Sequence, residues 1–195
     1  MKLQPIKILV LLSCLFLLSQ AARDDRYQAY KEVYLLSLQA YDSATQVKDK
    51  SEAAWVLAQL YESGKGVAKD LQQSLKWYKR SAKYGSIKAM EYLIRYYFSV
   101  KRDLEKGLFW AHKAAVKGSD LGISSIGLFF EQANELEKAA KWYQKGAAGE
   151  GVFSMYHLGM MYKNGIWYHK DDKKALFWLQ KAAKKGNTKA QKALK

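Results

Sequence analysis

Apolar residues along the chain recur at helical spacing, and they do so in paired runs. In one kind of run an aromatic closes a short apolar segment, as in Leu57-Ala58-Gln59-Leu60-Tyr61 and Leu158-Gly159-Met160-Met161-Tyr162. In the other kind a tryptophan lies among small residues and lysines. These segments read Ser74-Leu75-Lys76-Trp77-Tyr78, Lys106-Gly107-Leu108-Phe109-Trp110, Lys138-Ala139-Ala140-Lys141-Trp142-Tyr143 and Lys174-Ala175-Leu176-Phe177-Trp178. The two kinds alternate, which predicts helix pairs. The single proline, Pro5, lies outside this region, so glycines are its backbone breakers, as in helices joined by tight turns.

The four tryptophans, Trp77, Trp110, Trp142 and Trp178, are spaced by 33, 32 and 36 residues, the period of a helical repeat array. Three places before each stands a small residue (Ser74, Gly107, Ala139, Ala175), and five places after each an alanine (Ala82, Ala115, Ala147, Ala183). Seven places before stands an acid: Asp70, Asp103, Glu135 and Asp171. That is where the second helix of each pair begins. The aspartates there are suited to cap free N–H groups, and all four charges suit the positive end of the helix dipole. Gly85, Gly118 and Gly186 fall eight places after, where a helix stops in a left-handed turn; the third repeat offers Gly149 and Gly151 around Glu150 instead. In the first helices, Tyr61 and Tyr162 precede their tryptophans by sixteen, whereas Tyr97 and Phe130 precede theirs by thirteen and twelve. The missing residues come out of the inter-helix loop, a deletion that stacked repeats tolerate.

As a set, Leu-Gly-x-x-Tyr, Gly-x-Gly-Val, the acid, Lys-Ala and Trp-Tyr-x-Lys-Ala-Ala-x-x-Gly resemble the Sel-one-like repeat, a subfamily of the tetratricopeptide-like helical repeats. The resemblance covers roughly residues 51–186 in four tandem repeats. It implies an all-α, right-handed α/α solenoid whose concave side is lined by the first helix of each pair. Residues 22–50, with a helix from Tyr27 to about Ala44, are expected to cap one end of the array, and residues 187–195 the other.

The first 21 residues read as a secretory signal: Lys2 and Lys7, an apolar run from Ile8 to Leu18 interrupted only by Ser13 and Cys14, then Ser19-Gln20-Ala21. Cleavage after Ala21 would place the protein in the bacterial periplasm or release it. Leu11-Leu12-Ser13-Cys14 offers the rival of a lipoprotein anchored through Cys14. The apolar run is short of the roughly 20 residues that span a bilayer, so no transmembrane helix is expected in the mature chain. Cys14 is the only cysteine, and its removal leaves no disulfide or thiol chemistry.

Composition then narrows the function. Hydrophobic residues make up 49% of the chain, enough for a sizeable core. The formal net charge is +15, or +13 without Lys2 and Lys7. Such an excess points to an acidic protein, an anionic envelope surface or nucleic acid, and export disfavours the last. His112, His157 and His169 have no metal-ligand spacing, so each reads as a satisfied or solvated histidine. Gly64-Lys65-Gly66 follows a helix rather than a strand and is no phosphate loop. In Tyr168-His169-Lys170-Asp171-Asp172, Asp171 already serves as a helix start. No catalytic residue, metal or cofactor is expected, and the repeat tryptophans and first-helix aromatics read as core.

The non-repeating positions of the first helices carry the functional expectation. Helical phase turns Trp55 and Gln59 away from Leu57 and Tyr61, and gives in turn Glu91 and Arg95, Ser124 and Leu128, and Tyr156 and Met160. The resemblance makes this the concave face, and Trp, Tyr and Arg are favoured interface anchors. Trp55, Gln59, Glu91, Arg95, Leu128, Tyr156 and Met160 are therefore the expected partner-binding residues. Lysines late in the second helices, such as Lys113, Lys145, Lys181 and Lys184, suit the negative helix end and form a basic flank. The expected function is a non-catalytic adaptor or regulator in the envelope that holds a protein or peptide, one of acidic character by charge. An immunity protein against a toxic enzyme is the alternative, and an envelope hydrolase the alternative of another class.

Overall fold

A computed structural model describes residues 23 to 195, with side chains from residue 25 onward; the signal segment and Cys14 lie outside the described residues. Among these, all regular structure is helical, in consecutive packed pairs, the architecture of an α/α solenoid. The chain divides into two compact units, up to Tyr92 and from Leu93 onward.

The first unit begins with α1 (Arg23–Ser43), followed by α2 (Val47–Ser63), α3 (Leu71–Lys83) and the start of α4 (Ile87–Arg95). Val33 of α1 and Leu60 of α2 are buried together, with Tyr30, Tyr34 and Val67 packed around them. Small residues let α2 and α3 approach closely. Ser51 Oγ donates to the Ser81 carbonyl at 3.2 Å and Ser81 Oγ returns a bond to the Ser51 carbonyl at 2.8 Å. Asp70 caps α3 by accepting from the Gln72 and Gln73 N–H groups.

The second unit continues from α4 through a π-helical turn, Tyr96–Lys101. Then come α5 (Leu104–Val116), α6 (Asp120–Gln132), α7 (Leu136–Ala148), α8 (Val152–Asn164), α9 (Asp172–Lys184) and the short α10 (Thr188–Ala193). Asp103 and Asp171 cap α5 and α9 as the spacing predicts, while Glu135 makes no side-chain cap on α7. Met155, Leu158, Met161 and Leu179 fill the core of the last two repeats. Each such side chain contributes about 1.5–3 kcal/mol on full burial.

One hydrogen bond keeps every repeat in register despite the unequal loops. The N–H of the acid that starts each second helix donates to the carbonyl of the first-helix aromatic. The pairs are Asp70 to Tyr61 (2.9 Å), Asp103 to Tyr97 (2.9 Å), Glu135 to Phe130 (2.8 Å) and Asp171 to Tyr162 (3.1 Å). The shortened loops meet this constraint by forcing non-glycine residues, Arg102 and Asn134, to positive φ. Left-handed turns fall at Gly85, Gly118 and Gly186, and in the third repeat Glu150 itself takes that conformation, at φ 59°.

The two long loops differ at one position. Gly66 (φ 67°) must be glycine because a Cβ there would run into the backbone of Tyr30 and Lys31. Its counterpart is Trp167 at φ 66°, with half of its surface exposed.

Candidate functional site

The repeat tryptophans are less buried than expected. Trp77 is buried, but Trp110, Trp142 and Trp178 are half-exposed. A base three places after each tryptophan covers a ring of the same helix: Arg80 over Trp77 at 4.3 Å, Lys113 over Phe109 at 4.9 Å, Lys145 over Trp142 at 5.0 Å and Lys181 over Phe177 at 4.9 Å. These late bases thus shield aromatic surface as well as meeting the helix dipole. The residue after the tryptophan lies deeper than the tryptophan itself: Tyr78, Ala111, Tyr143 and Leu179 are all buried.

Where that residue is tyrosine, it builds a polar cluster with the first helices. In the first unit Glu62 of α2 accepts from Tyr78 Oη at its Oε2 (2.7 Å) and from Tyr92 Oη at its Oε1 (2.8 Å). The two rings stack with centroids 3.7 Å apart and planes 23° from parallel, and Trp55 sets its edge against Tyr78 at 5.1 Å. In the second unit Glu131 of α6 accepts from Tyr143 Oη at Oε2 (2.7 Å). The third member is now His157, which follows Tyr143 by fourteen residues as Tyr92 follows Tyr78. Its ring lies 4.8 Å from Tyr143 and 8° from parallel, with Nδ1 4.0 Å from Glu131 Oε2. Tyr156 packs edge-on against His157 at 5.1 Å.

The electrostatics follow from this placement. Burial raises the pKa of Tyr78 and Tyr143, and the carboxylate each phenol donates to raises it further, so both remain donors. Burial pushes His157 below the ordinary histidine value of 6.5, against the opposing pull of Glu131 and Asp120 and with help from Lys189. The imidazole is therefore neutral at neutral pH.

Of the expected partner-binding residues in the first unit, Trp55 is half-buried against Tyr78, Gln59 is exposed, and Glu91 is half-buried. In the second, Arg95 and Leu128 are exposed, while Tyr156 and Met160 are half-buried on the core of the last two repeats. The structure brings Tyr156 beside His157. Sequence reasoning set His157 aside as satisfied or solvated and did not single out Glu62 or Glu131. The signal was present: glutamate follows the first-helix aromatic only in the repeats whose tryptophan is followed by tyrosine. His112 is exposed with its ring 5.9 Å from Trp142, and His169 is exposed. Among the described residues no group of three or more His, Cys, Asp or Glu could hold a metal, and no helix is long and apolar enough to cross a membrane.

Helix pairs in register, with small residues at their contacts and anchored aromatics on the first helices, define an α/α repeat scaffold for interaction. The chain belongs to the Sel1 repeat family, whose model matches residues 51–86, 89–119, 126–150 and 152–187. Sel1 repeat proteins are protein-interaction modules. The solved Sel1 repeat protein from Oxalobacter formigenes is 30% identical, with a TM-score of 0.69 over 84% of this chain and 68% of that one. A protective antigen of uropathogenic Escherichia coli strains that displays the same fold is 28% identical, with a TM-score of 0.61 over 91% of this chain and 42% of that one. The chitin synthase regulator SKT5 of Saccharomyces cerevisiae is 32% identical over 108 residues, which are 50% of this chain. The match spans only 16% of that regulator's length.

Proposed function

We propose that this protein is a non-catalytic adaptor or regulator of the bacterial envelope that holds a protein partner on the faces of its first helices. The observation that carries it is the state of Trp55 and Tyr156. Each is half-buried and fixed edge-on against another ring of its own unit, Tyr78 for Trp55 and His157 for Tyr156. Such side chains lose little rotamer freedom on binding, which is what an interface anchor requires. The envelope address rests on the signal-like segment at residues 1–21. The lysine-rich ends of the second helices favour an additional, salt-sensitive contact with an anionic surface.

The test is capture of partners from envelope extract by the mature protein at low and moderate salt. One set of variants carries Trp55→Ala, Tyr156→Ala and Met160→Ala together; another carries Gln59→Asp and Leu128→Asp, exposed positions whose replacement leaves the core intact. A single partner retained at moderate salt and lost with both sets supports the reading. Capture of only salt-labile anionic material, equally by all proteins, overturns it.

A further inference from the structure

The two polar clusters differ in one hydrogen bond. Glu62 has both carboxylate oxygens engaged, one by Tyr78 and one by Tyr92. Glu131 has only Oε2 engaged, by Tyr143; among the described residues no hydrogen bond reaches its Oε1. The cause is a single replacement. A phenol at position 157 would extend to the second oxygen as Tyr92 does, whereas imidazole is shorter and stops 4.0 Å from Oε2. The Glu131 side chain keeps 28% of its surface accessible and that of His157 keeps 26%, so the open oxygen is reachable from outside.

We propose that Glu131 Oε1 is a recognition point for an arginine side chain of the protein partner. This rests on the proposed function and adds the chemistry of one contact. A carboxylate that is half-buried, already oriented by one phenol and lacking its second donor gains most from a charged donor. Guanidinium suits the surroundings better than ammonium. It is flat and weakly hydrated, and it lies against aromatic faces while donating hydrogen bonds; Tyr156 supplies such a ring beside His157. The basic excess of this unit does not forbid a cationic guest. Its lysines concentrate late in the second helices, and exposed charges are screened beyond about 10 Å at 0.1 M salt. Asp120, whose field also reaches His157, offsets part of the effect of Lys189.

The experiment is an NMR titration of the mature protein at pH 7.5 with blocked pentapeptides Gly-Gly-Xaa-Gly-Gly, following the His157 ring and the Gly127 amide. Xaa is arginine, lysine, norleucine or glutamate. The arginine peptide is expected to give saturable shifts, with lysine weaker and norleucine and glutamate inert. Glu131→Gln raises the Kd by about tenfold or more, as loss of a charged hydrogen bond predicts. His157→Tyr, which supplies the missing phenol and keeps the charge, has the same effect on the Gly127 shifts and covers the case in which Glu131→Gln fails to fold. Absence of saturable shifts, equal affinity for norleucine, tighter binding of lysine, or an unchanged Kd in His157→Tyr would each overturn the proposal. If the captured partner is lost with Gln59→Asp and Leu128→Asp but kept by Glu131→Gln and His157→Tyr, this contact fails while the broader function stands.

Discussion

Glu62 and Glu131 stand at the same place in their repeats, and each is held by the phenol that follows a repeat tryptophan. Around Glu62 the cluster is closed, with two tyrosines stacked at 3.7 Å and both oxygens used. Around Glu131 a histidine replaces the second tyrosine and one oxygen is left over. The charge of the two units differs in parallel. Residues 93–195 hold 19 Lys and Arg against nine Asp and Glu, whereas residues 23–92 hold 12 against nine. A repeat scaffold can therefore keep its packing rule in both units and still leave one carboxylate oxygen open in the second. The difference lies in which donor reaches the carboxylate, not in the fold.

The sharpest way to test the contrast is to remove the shared phenol. Tyr143→Phe leaves a half-buried carboxylate without its donor and should cost about 2–3 kcal/mol in urea unfolding. Tyr78→Phe should cost clearly less, because Tyr92 still holds Glu62. Equal losses would mean that Tyr92 adds nothing.

Backbone approach gives the next contrast. A Cβ at Gly127 would sit 2.5 Å from the Tyr143 ring, so Gly127→Ala should destabilise by about 1–3 kcal/mol through overpacking. The counterpart in the first unit is already alanine, Ala58, so replacing it by glycine should cost about 1 kcal/mol from helix propensity. In the opposite direction, Ser74 Oγ is buried without a hydrogen-bond partner among the described residues, while Ala139 and Ala175 fill the same repeat position. Ser74→Ala should therefore stabilise the protein by about 1 kcal/mol, seen as a higher urea midpoint.

The smallest effect concerns acid. Because burial lowers the His157 pKa in the folded chain, the unfolded chain takes up the proton first as pH falls below 6.5. Stability is then lost on acidification until the folded pKa is passed, and none is lost above 6.5 from this group. Glu131, Asp120 and Lys189 act on the same ring and shape the curve. His157→Tyr, which makes the second cluster resemble the first, should flatten the melting temperature between pH 7 and pH 5 relative to wild type.

Much of this organisation was legible from spacing. The repeat frame, the three aspartate caps and the left-handed glycines depend on local backbone chemistry, which a periodic sequence displays directly. The depth of each tryptophan was not legible, because burial depends on which neighbour fills the space beneath it. Phe109 and Phe177 stand before the tryptophan in the repeats that carry Ala111 and Leu179 after it, whereas Lys76 and Lys141 precede it where tyrosine follows. The aromatic bulk thus moves from inside to outside between alternate repeats. The cluster that His157 joins was not legible for a related reason: its partners lie 14 and 26 positions back, at no spacing that marks a ligand set.

The start of α8 has a further consequence. Gly151 offers it no side-chain cap, and the missing acceptor comes from Asp120 at the head of α6. That carboxylate takes the Phe153 N–H at 2.6 Å, the Ser154 N–H at 3.2 Å and the Ser154 hydroxyl at 2.5 Å. In a linear array, cooperativity is the share of stability stored between neighbours rather than within them. Here the initiation of one helix is lent by the preceding repeat, so the last repeat cannot nucleate its own first helix at full strength. The third and fourth repeats should therefore fold and melt as one unit, and a chain cut between them should leave a fragment that frays from its first turn.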